Sequence, residues 1–277
     1  MREWFLVVFA IAQQPLFTAG GSTPEVHVVS ARGLGDANGD GKSDVVIGVP
    51  SSGADGASGT VYVLSGADGS VLAAWNGGPG ELYGFSVDAA GDVDGDGHVD
   101  VLIGAPGAAA SKGVVHVRSG ATGDVIWAPE GAADGDRFGD SVAGLGDLDL
   151  DGFAEFLGGA SQPGQGAGYV RVYTGLTGTL ASTYVGDAPG DELGLATANG
   201  GDMDLDGWPE RILGAPGSFA GTGAALVLSG ATGLPIASLT GDAPGARFGE
   251  SVAGGDFNAD GHSDFIVGAP SPGIGSP

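Results

Sequence analysis

Short apolar runs separated by glycine-rich polar stretches recur along the whole chain. Val61-Tyr62-Val63-Leu64 and Val115-His116-Val117-Arg118 are rich in β-branched or aromatic residues and end in Ser-Gly turns, which predicts strands. A further run precedes each acidic stretch, at 85–89, 141–143 and 251–253, and another follows each Ser-Gly turn, at 70–75 and 125–127. After each acidic stretch the chain turns continuously apolar, as in Val45-Val46-Ile47 and Val101-Leu102-Ile103, the pattern of a strand buried on both faces.

These runs belong to one repeating unit. Five copies of a single pattern begin at Gly35, Gly91, Gly146, Gly201 and Gly255, spaced 54 to 56 residues apart, and a second string recurs from Val61, Val115, Val170 and Ala225 with the same period. Each unit therefore holds four short strands. Propeller blades have four strands in about 40–50 residues, and this period sits just above that range. The predicted fold is all-β, a β-propeller of four-stranded antiparallel blades. The blades fall at about 23–76, 77–128, 129–185, 186–240 and 241–277, with the last incomplete, so about four and a half are present.

Composition supports short elements: 58 glycines and 15 prolines in 277 residues argue against long helices, while 42% apolar content suffices for a core. Acidic residues outnumber Lys and Arg by 34 to 9, and a formal charge of −25 argues against a basic surface for nucleic acid. The absence of cysteine excludes disulfides, thiolate metal sites and cysteine nucleophiles. Residues 1–22 read as a signal peptide and leader: residues 4–12 are apolar and Ala10-Ile11-Ala12 offers a small-x-small cleavage pattern. The competing reading makes residues 4–12 a buried strand. No later segment is expected to cross a membrane.

The acidic stretches carry the chemistry. Counted from the first aspartate, each loop has oxygen side chains at positions 1, 3, 5 and 9, with glycine at 6. The sets are Asp36, Asn38, Asp40, Asp44; Asp92, Asp94, Asp96, Asp100; Asp147, Asp149, Asp151, Glu155; Asp202, Asp204, Asp206, Glu210; and Asp256, Asn258, Asp260, Asp264. Calcium takes six to eight oxygens, and a tight loop can turn these alternate side chains inward while position 7 presents its carbonyl. Position 7 is Lys42, His98, Phe153, Trp208 or His262, a variety consistent with a backbone ligand. Two carboxylates about 4 Å apart repel by roughly 4 kcal/mol at an effective dielectric near 20, so such clusters call for a cation. Calcium suits them better than magnesium, which prefers rigid, water-rich octahedral shells. About five calcium sites are expected, one per repeat. An EF-hand is excluded because position 12 is Ile47, Ile103, Gly158, Leu213 or Val267 where that loop needs a bidentate acid.

The unit resembles the FG-GAP repeat of integrin α-subunit propellers and their bacterial relatives. Its Phe-Gly appears as Phe138-Gly139 and Phe248-Gly249, with Tyr83-Gly84 and Leu193-Gly194 in equivalent places. Its Gly-Ala-Pro appears as Gly104-Ala105-Pro106, Gly214-Ala215-Pro216 and Gly268-Ala269-Pro270, with Gly48-Val49-Pro50 and Gly159-Ala160-Ser161 as variants. The resemblance implies calcium loops on one face of the propeller and ligand contacts more often on the other. It also implies a seven-bladed ring, so the chain reads as part of a longer product or as one that closes its open edge by association. An irregular five-bladed ring is the alternative.

The expected role is a secreted or cell-surface module binding a protein or glycan for adhesion. Its contact loops are expected at 51–58, 107–112, 162–167 and 217–222, with 76–82 and 187–192. A secreted propeller enzyme, such as a polysaccharide lyase or a hydrolase, is the alternative, and a structural spacer a third reading. Catalysis finds little support: His98 and His262 sit at loop position 7, His116 lies in a strand, and acid pairs outside the loops, such as Asp187 with Asp191, show no recurring arrangement. No catalytic residue is assigned.

Overall fold

A computed structural model describes residues 5–9, 15–20, 29–51 and 58–270, the first two segments as backbone only. The Ala10-Ile11-Ala12 pattern lies outside these residues, as do residues 52–57 of the first expected contact loop. On either side of that pattern, Phe5–Phe9 (β1) and Pro15–Gly20 (β2) pair as an antiparallel hairpin.

Four antiparallel four-stranded sheets follow, each in simple meander order. The first contains Ser30–Gly35 (β3), Asp44–Val49 (β4), Ser58–Leu64 (β5) and Val71–Pro79 (β6). The second contains Ser86–Gly91 (β7), Asp100–Ala105 (β8), Val114–Arg118 (β9) and Val125–Trp127 (β10). The third runs through Ser141–Gly146 (β11), Glu155–Ala160 (β12), Tyr169–Tyr173 (β13) and Leu180–Val185 (β14). The fourth runs through Ala196–Gly201 (β15), Glu210–Ala215 (β16), Ala224–Leu228 (β17) and Pro235–Thr240 (β18). Ser251–Gly255 (β19) and Asp264–Gly268 (β20) begin a fifth. The chain is a β-propeller of such blades, as the periodicity predicts. One expected contact loop is shorter than its sequence suggests, because β6 continues to Pro79 and Thr60 Oγ1 donates to Asn76 Oδ1 at 2.8 Å.

The first strands of neighbouring sheets pack on one another in the sequence β3, β7, β11, β15, β19 and are therefore innermost. Second strands carry the continuous apolar runs, and β8, β12 and β16 are buried along their whole length. Fourth strands alternate exposed and half-buried residues, as an outer edge requires. The core lies between sheets rather than inside any one of them. Leu102, Val115 and Val117 of the second sheet meet Phe156, Tyr169 and Tyr173 of the third, and Phe138 is wedged at that boundary. Such a stack needs every sheet to be covered by its neighbour, since burying one Val, Leu or Phe side chain contributes about 1.5–3 kcal/mol.

The Phe-Gly and Gly-Ala-Pro motifs are the wedge and its slot. Gly139 has φ of +93°, a left-handed backbone open to glycine, and its N–H donates to the Gly159 carbonyl of its own sheet at 2.8 Å. Its carbonyl faces the preceding sheet, where it accepts from Ser86 Oγ at 2.9 Å. A Cβ on Gly104 there would lie 2.1 Å from that oxygen, so the two backbones approach closely only because Gly104 has no side chain. The same contact joins Gly159 to the Gly194 carbonyl, with Ser141 Oγ donating at 2.8 Å. Among the described residues no helix is long and apolar enough to cross a membrane.

Candidate metal centres

Each acidic loop joins an innermost strand to the second strand of its sheet, so all five emerge at one end of the blades. Their geometry is the same throughout. The position-1 aspartate accepts the position-5 N–H on one carboxylate oxygen and the position-6 N–H on the other, at 2.9 and 2.8 Å for Asp36 and at 3.1 and 2.9 Å for Asp92 and Asp147. Asp202 and Asp256 repeat the pattern. The position-3 side chains Asn38, Asp94, Asp149, Asp204 and Asn258 also accept the position-5 N–H. Position 5 accepts the N–H of Lys42, His98, Phe153, Trp208 or His262. Position 6 needs left-handed backbone, with φ of +96° at Gly152, so glycine there sets the bend that brings the carboxylates together.

Possible ligand atoms of Asp92, Asp94 and Asp96 lie within 4.8 Å of one another, as do those of Asp147, Asp149 and Glu155, and those of Asp202, Asp204 and Asp206. Loops 1 and 5 have an asparagine at position 3, and the amides of Asn38 and Asn258 donate to Asp40 and Asp260 at 3.0 Å. Carboxylates gathered this closely, with their backbone donors already in place, form an oxygen-only set suited to a hard divalent ion.

Position 9 has a second role that the spacing did not reveal. Asp44, Asp100, Glu155 and Glu210 are buried. Asp100 accepts from Val93 N–H at 2.8 Å within the loop and from Gly120 N–H at 2.9 Å in the Ser-Gly turn of the next hairpin. Asp44 uses Ala37, Asn38 and Gly66; Glu155 uses Leu148 and Gly175; Glu210 uses Met203 and Gly230. Asp264 accepts from Phe257. The acid is thus a strut between the loop and the Ser-Gly turn, and the shared period of the two strings was its sequence signal.

Burial pushes the Asp100 carboxyl up to about 6; the Gly120 and Val93 donors oppose this, and the charges of Asp94 and Asp96 add to it. Burial likewise raises Glu155 and Glu210, with neighbouring loop aspartates adding to the rise. A raised folded value means that protonation of Asp100 stabilises the metal-free fold below about pH 4, and that this contribution is lost as pH rises through about 6. A bound dication requires the ionised form. Any rise in Tm on adding a divalent cation such as calcium should therefore shrink when pH falls from about 7.5 to about 5. Melting curves with and without chelator at both pH values check this, and an increment that does not change with pH would count against metal at Asp100.

Three of the position-7 residues make further contacts. Phe153 packs over Gly95 of the preceding loop, Trp208 lies against Gly230, and His262 Nδ1 sits 3.3 Å from the Met203 carbonyl. His116 packs edge-on to Tyr83 with ring centres 5.3 Å apart, and burial lowers its pKa, which favours the neutral ring.

At the other end of the blades, a cleft of about 200 Å³ opens between the 186–191 segment and the turn Ser218–Gly221. Val185, Leu193, Ala224 and Leu226 line its apolar floor. Phe219 stands at it 65% exposed with φ of +53°, a left-handed conformation unusual for a bulky residue. Asp187 and Asp191 also line it. The turn recurs in the blade before without its acid pair: Asp191 accepts from Asp187 and Ala188 N–H, and Asp136 accepts from Ala132 and Ala133 N–H, with alanine in the place of Asp187.

Residues 33–64, 83–117 and 248–276 match the FG-GAP repeat. The chain is 32% identical over 207 residues to integrin alpha-5 of Xenopus laevis, covering 66% of this chain and 19% of that protein. It is 32% identical over 206 residues to Drosophila melanogaster integrin alpha-PS2, covering 65% and 14%. With human integrin alpha-IIb it shares 35% over 155 residues, covering 49% and 15%. The chain thus spans less than a fifth of the length of these relatives. The crystal structure of Saccharomyces cerevisiae Sqt1 superposes with a TM-score of 0.58 at 11% identity, over 92% of this chain and 60% of that one, a likeness of fold alone.

Proposed function

Because this chain carries FG-GAP repeats and is related to integrin alpha subunits, we propose that it is a calcium-binding, extracellular or cell-surface propeller that binds a protein or glycan in adhesion. The observation that carries the calcium reading is the fivefold recurrence of one loop geometry, with carboxylates converging within 4.8 Å in three of the loops. Positions 1, 3, 5 and 9 and the position-7 carbonyl are the proposed ligands. Bound calcium would supply positive charge that offsets the carboxylate repulsion and ties each loop into one conformation. Position 9 carries that constraint to the Ser-Gly turn, so that a filled loop stiffens the whole blade. Export to the millimolar calcium outside the cell suits such sites, and residues 1–22 are proposed as the export signal and leader.

Ligand binding is proposed at the opposite end, centred on the Phe219 cleft, where an exposed aromatic in an uncommon backbone conformation stands beside a concave apolar surface. Binding rather than catalysis is the role that kinship with integrin alpha subunits supports. A glycan array and a pull-down from extracellular-matrix extract, each with calcium and with EGTA, test this. Wild-type protein should retain a ligand with calcium, and Phe219→Ala should reduce its capture about tenfold or more at unchanged Tm. Silence under both conditions would favour a structural spacer.

A further inference from the structure

We infer that the calcium loops work as coupled pairs, loop 2 with loop 3 and loop 4 with loop 5, while loops 3 and 4 respond independently. The inference rests on the calcium reading above and concerns how filling one loop affects the next.

The loops of neighbouring blades do not meet in the same way at every boundary. In loop 3 the position-8 N–H of Ala154 donates to the carbonyl of Asp92, the first residue of loop 2, at 2.8 Å. In loop 5 the position-8 N–H of Ser263 donates to the carbonyl of Asp202, the first residue of loop 4, at 3.3 Å. Among the described residues no such bond joins loop 2 to loop 1 or loop 4 to loop 3. The position-7 side chains mark the same two boundaries, since Phe153 covers Gly95 of loop 2 and His262 reaches the Met203 carbonyl of loop 4. Packing gives a third sign. A Cβ on Gly91 would lie 2.5 Å from the Cβ of Ala154, and one on Gly201 would lie 2.8 Å from that of Ser263, whereas the equivalent Gly35 and Gly146 have open space.

Position 8 explains the alternation. It is small in the closed pairs, Ala154 and Ser263, and bulkier at the open boundaries, Val99 and Pro209. Pro209 has no N–H, so loop 4 cannot donate to Asp147 at all. The acceptor in each closed pair is the peptide carbonyl of the residue whose carboxylate occupies position 1. Fixing that aspartate on a metal therefore also fixes the anchor of the following loop, and by linkage the effect is reciprocal.

Trp208 in loop 4 makes the test possible on the full chain. Terbium, a hard cation that takes oxygen ligands, is bound, and the luminescence lost in Trp208→Phe is taken as the loop 4 signal. Competition with calcium then reads the affinity of that loop. Asp260→Ala in loop 5 should weaken it about fivefold or more. Asp151→Ala in loop 3, which removes the same charge from the other neighbour, should change it less than about twofold. In a His262→Ala/Ser263→Pro background the Asp260→Ala effect should vanish, and Pro209 in loop 4 shows that the fold accepts proline at position 8. Equal effects from both neighbours, or coupling that survives in that background, would overturn the pairing while leaving calcium binding intact. A loop 4 signal that is absent or indifferent to calcium would overturn both.

Discussion

Chelating calcium should lower the Tm of this chain by roughly 5–20 °C. At about 1 mM calcium, sites with Kd of about 0.1–1 mM gain about 0.4–1.4 kcal/mol each, and five loops together about 2–7 kcal/mol. For a chain of this size 1 kcal/mol corresponds to about 2–4 °C. The direction follows from the loops themselves. Without a cation, three carboxylates in each of loops 2, 3 and 4 face one another within 4.8 Å. Buried acids at position 9 add to this, as the raised values of Asp100, Glu155 and Glu210 indicate. Circular-dichroism melts in 1 mM calcium and in excess EGTA measure the shift. Identical melting curves, together with no heat of calcium binding, would remove the metal from this protein and leave the clustered acids without a counter-charge.

Phe138→Ala should cost about 3–5 kcal/mol and lower Tm by roughly 10 °C, whereas Phe248→Ala, at the same place in the motif, should cost visibly less. Phe138 is fully buried. Its ring stacks on Tyr169 with centres 6.1 Å apart and meets Tyr173 edge-on, and its tip fills the space where Gly158 lacks a side chain. Its backbone N–H donates to the Lys112 carbonyl of the preceding blade, so truncation opens a cavity at a boundary between sheets. Phe248, between the fourth sheet and the two strands of the fifth, is only half-buried. Urea titration of both variants compares them directly. Equal losses would mean that the motif, rather than its burial, sets the energy.

The repeat, the four-stranded unit and the spacing of the acidic loop are legible in the sequence, because each is a local code. Alternation within β9 or β13, a Ser-Gly turn, and oxygen side chains at 1, 3, 5 and 9 around a glycine lie within ten or so residues of one another. By sequence the position-7 residues are interchangeable, which follows if only their carbonyls matter. Two of the side chains, Phe153 and His262, reach the preceding acidic loop, nearly 60 residues back along the chain. The spacing of position 9 suggests a metal ligand, and its bond to the Ser-Gly turn forms only because the second and third strands lie side by side.

The unit is written along the chain: four strands, one acidic loop, and a Phe-Gly with its Gly-Ala-Pro. The folded molecule set how the units meet. It decided that Phe138 is sealed and Phe248 half-open, that loops 2 and 3 and loops 4 and 5 are hydrogen-bonded while among the described residues no such bond joins loops 3 and 4, and that Phe219 overlooks a cleft. The physical reason is range: hydrogen-bond and turn preferences act between near neighbours in the chain, whereas side-chain volumes at a blade boundary act between residues brought together only by packing.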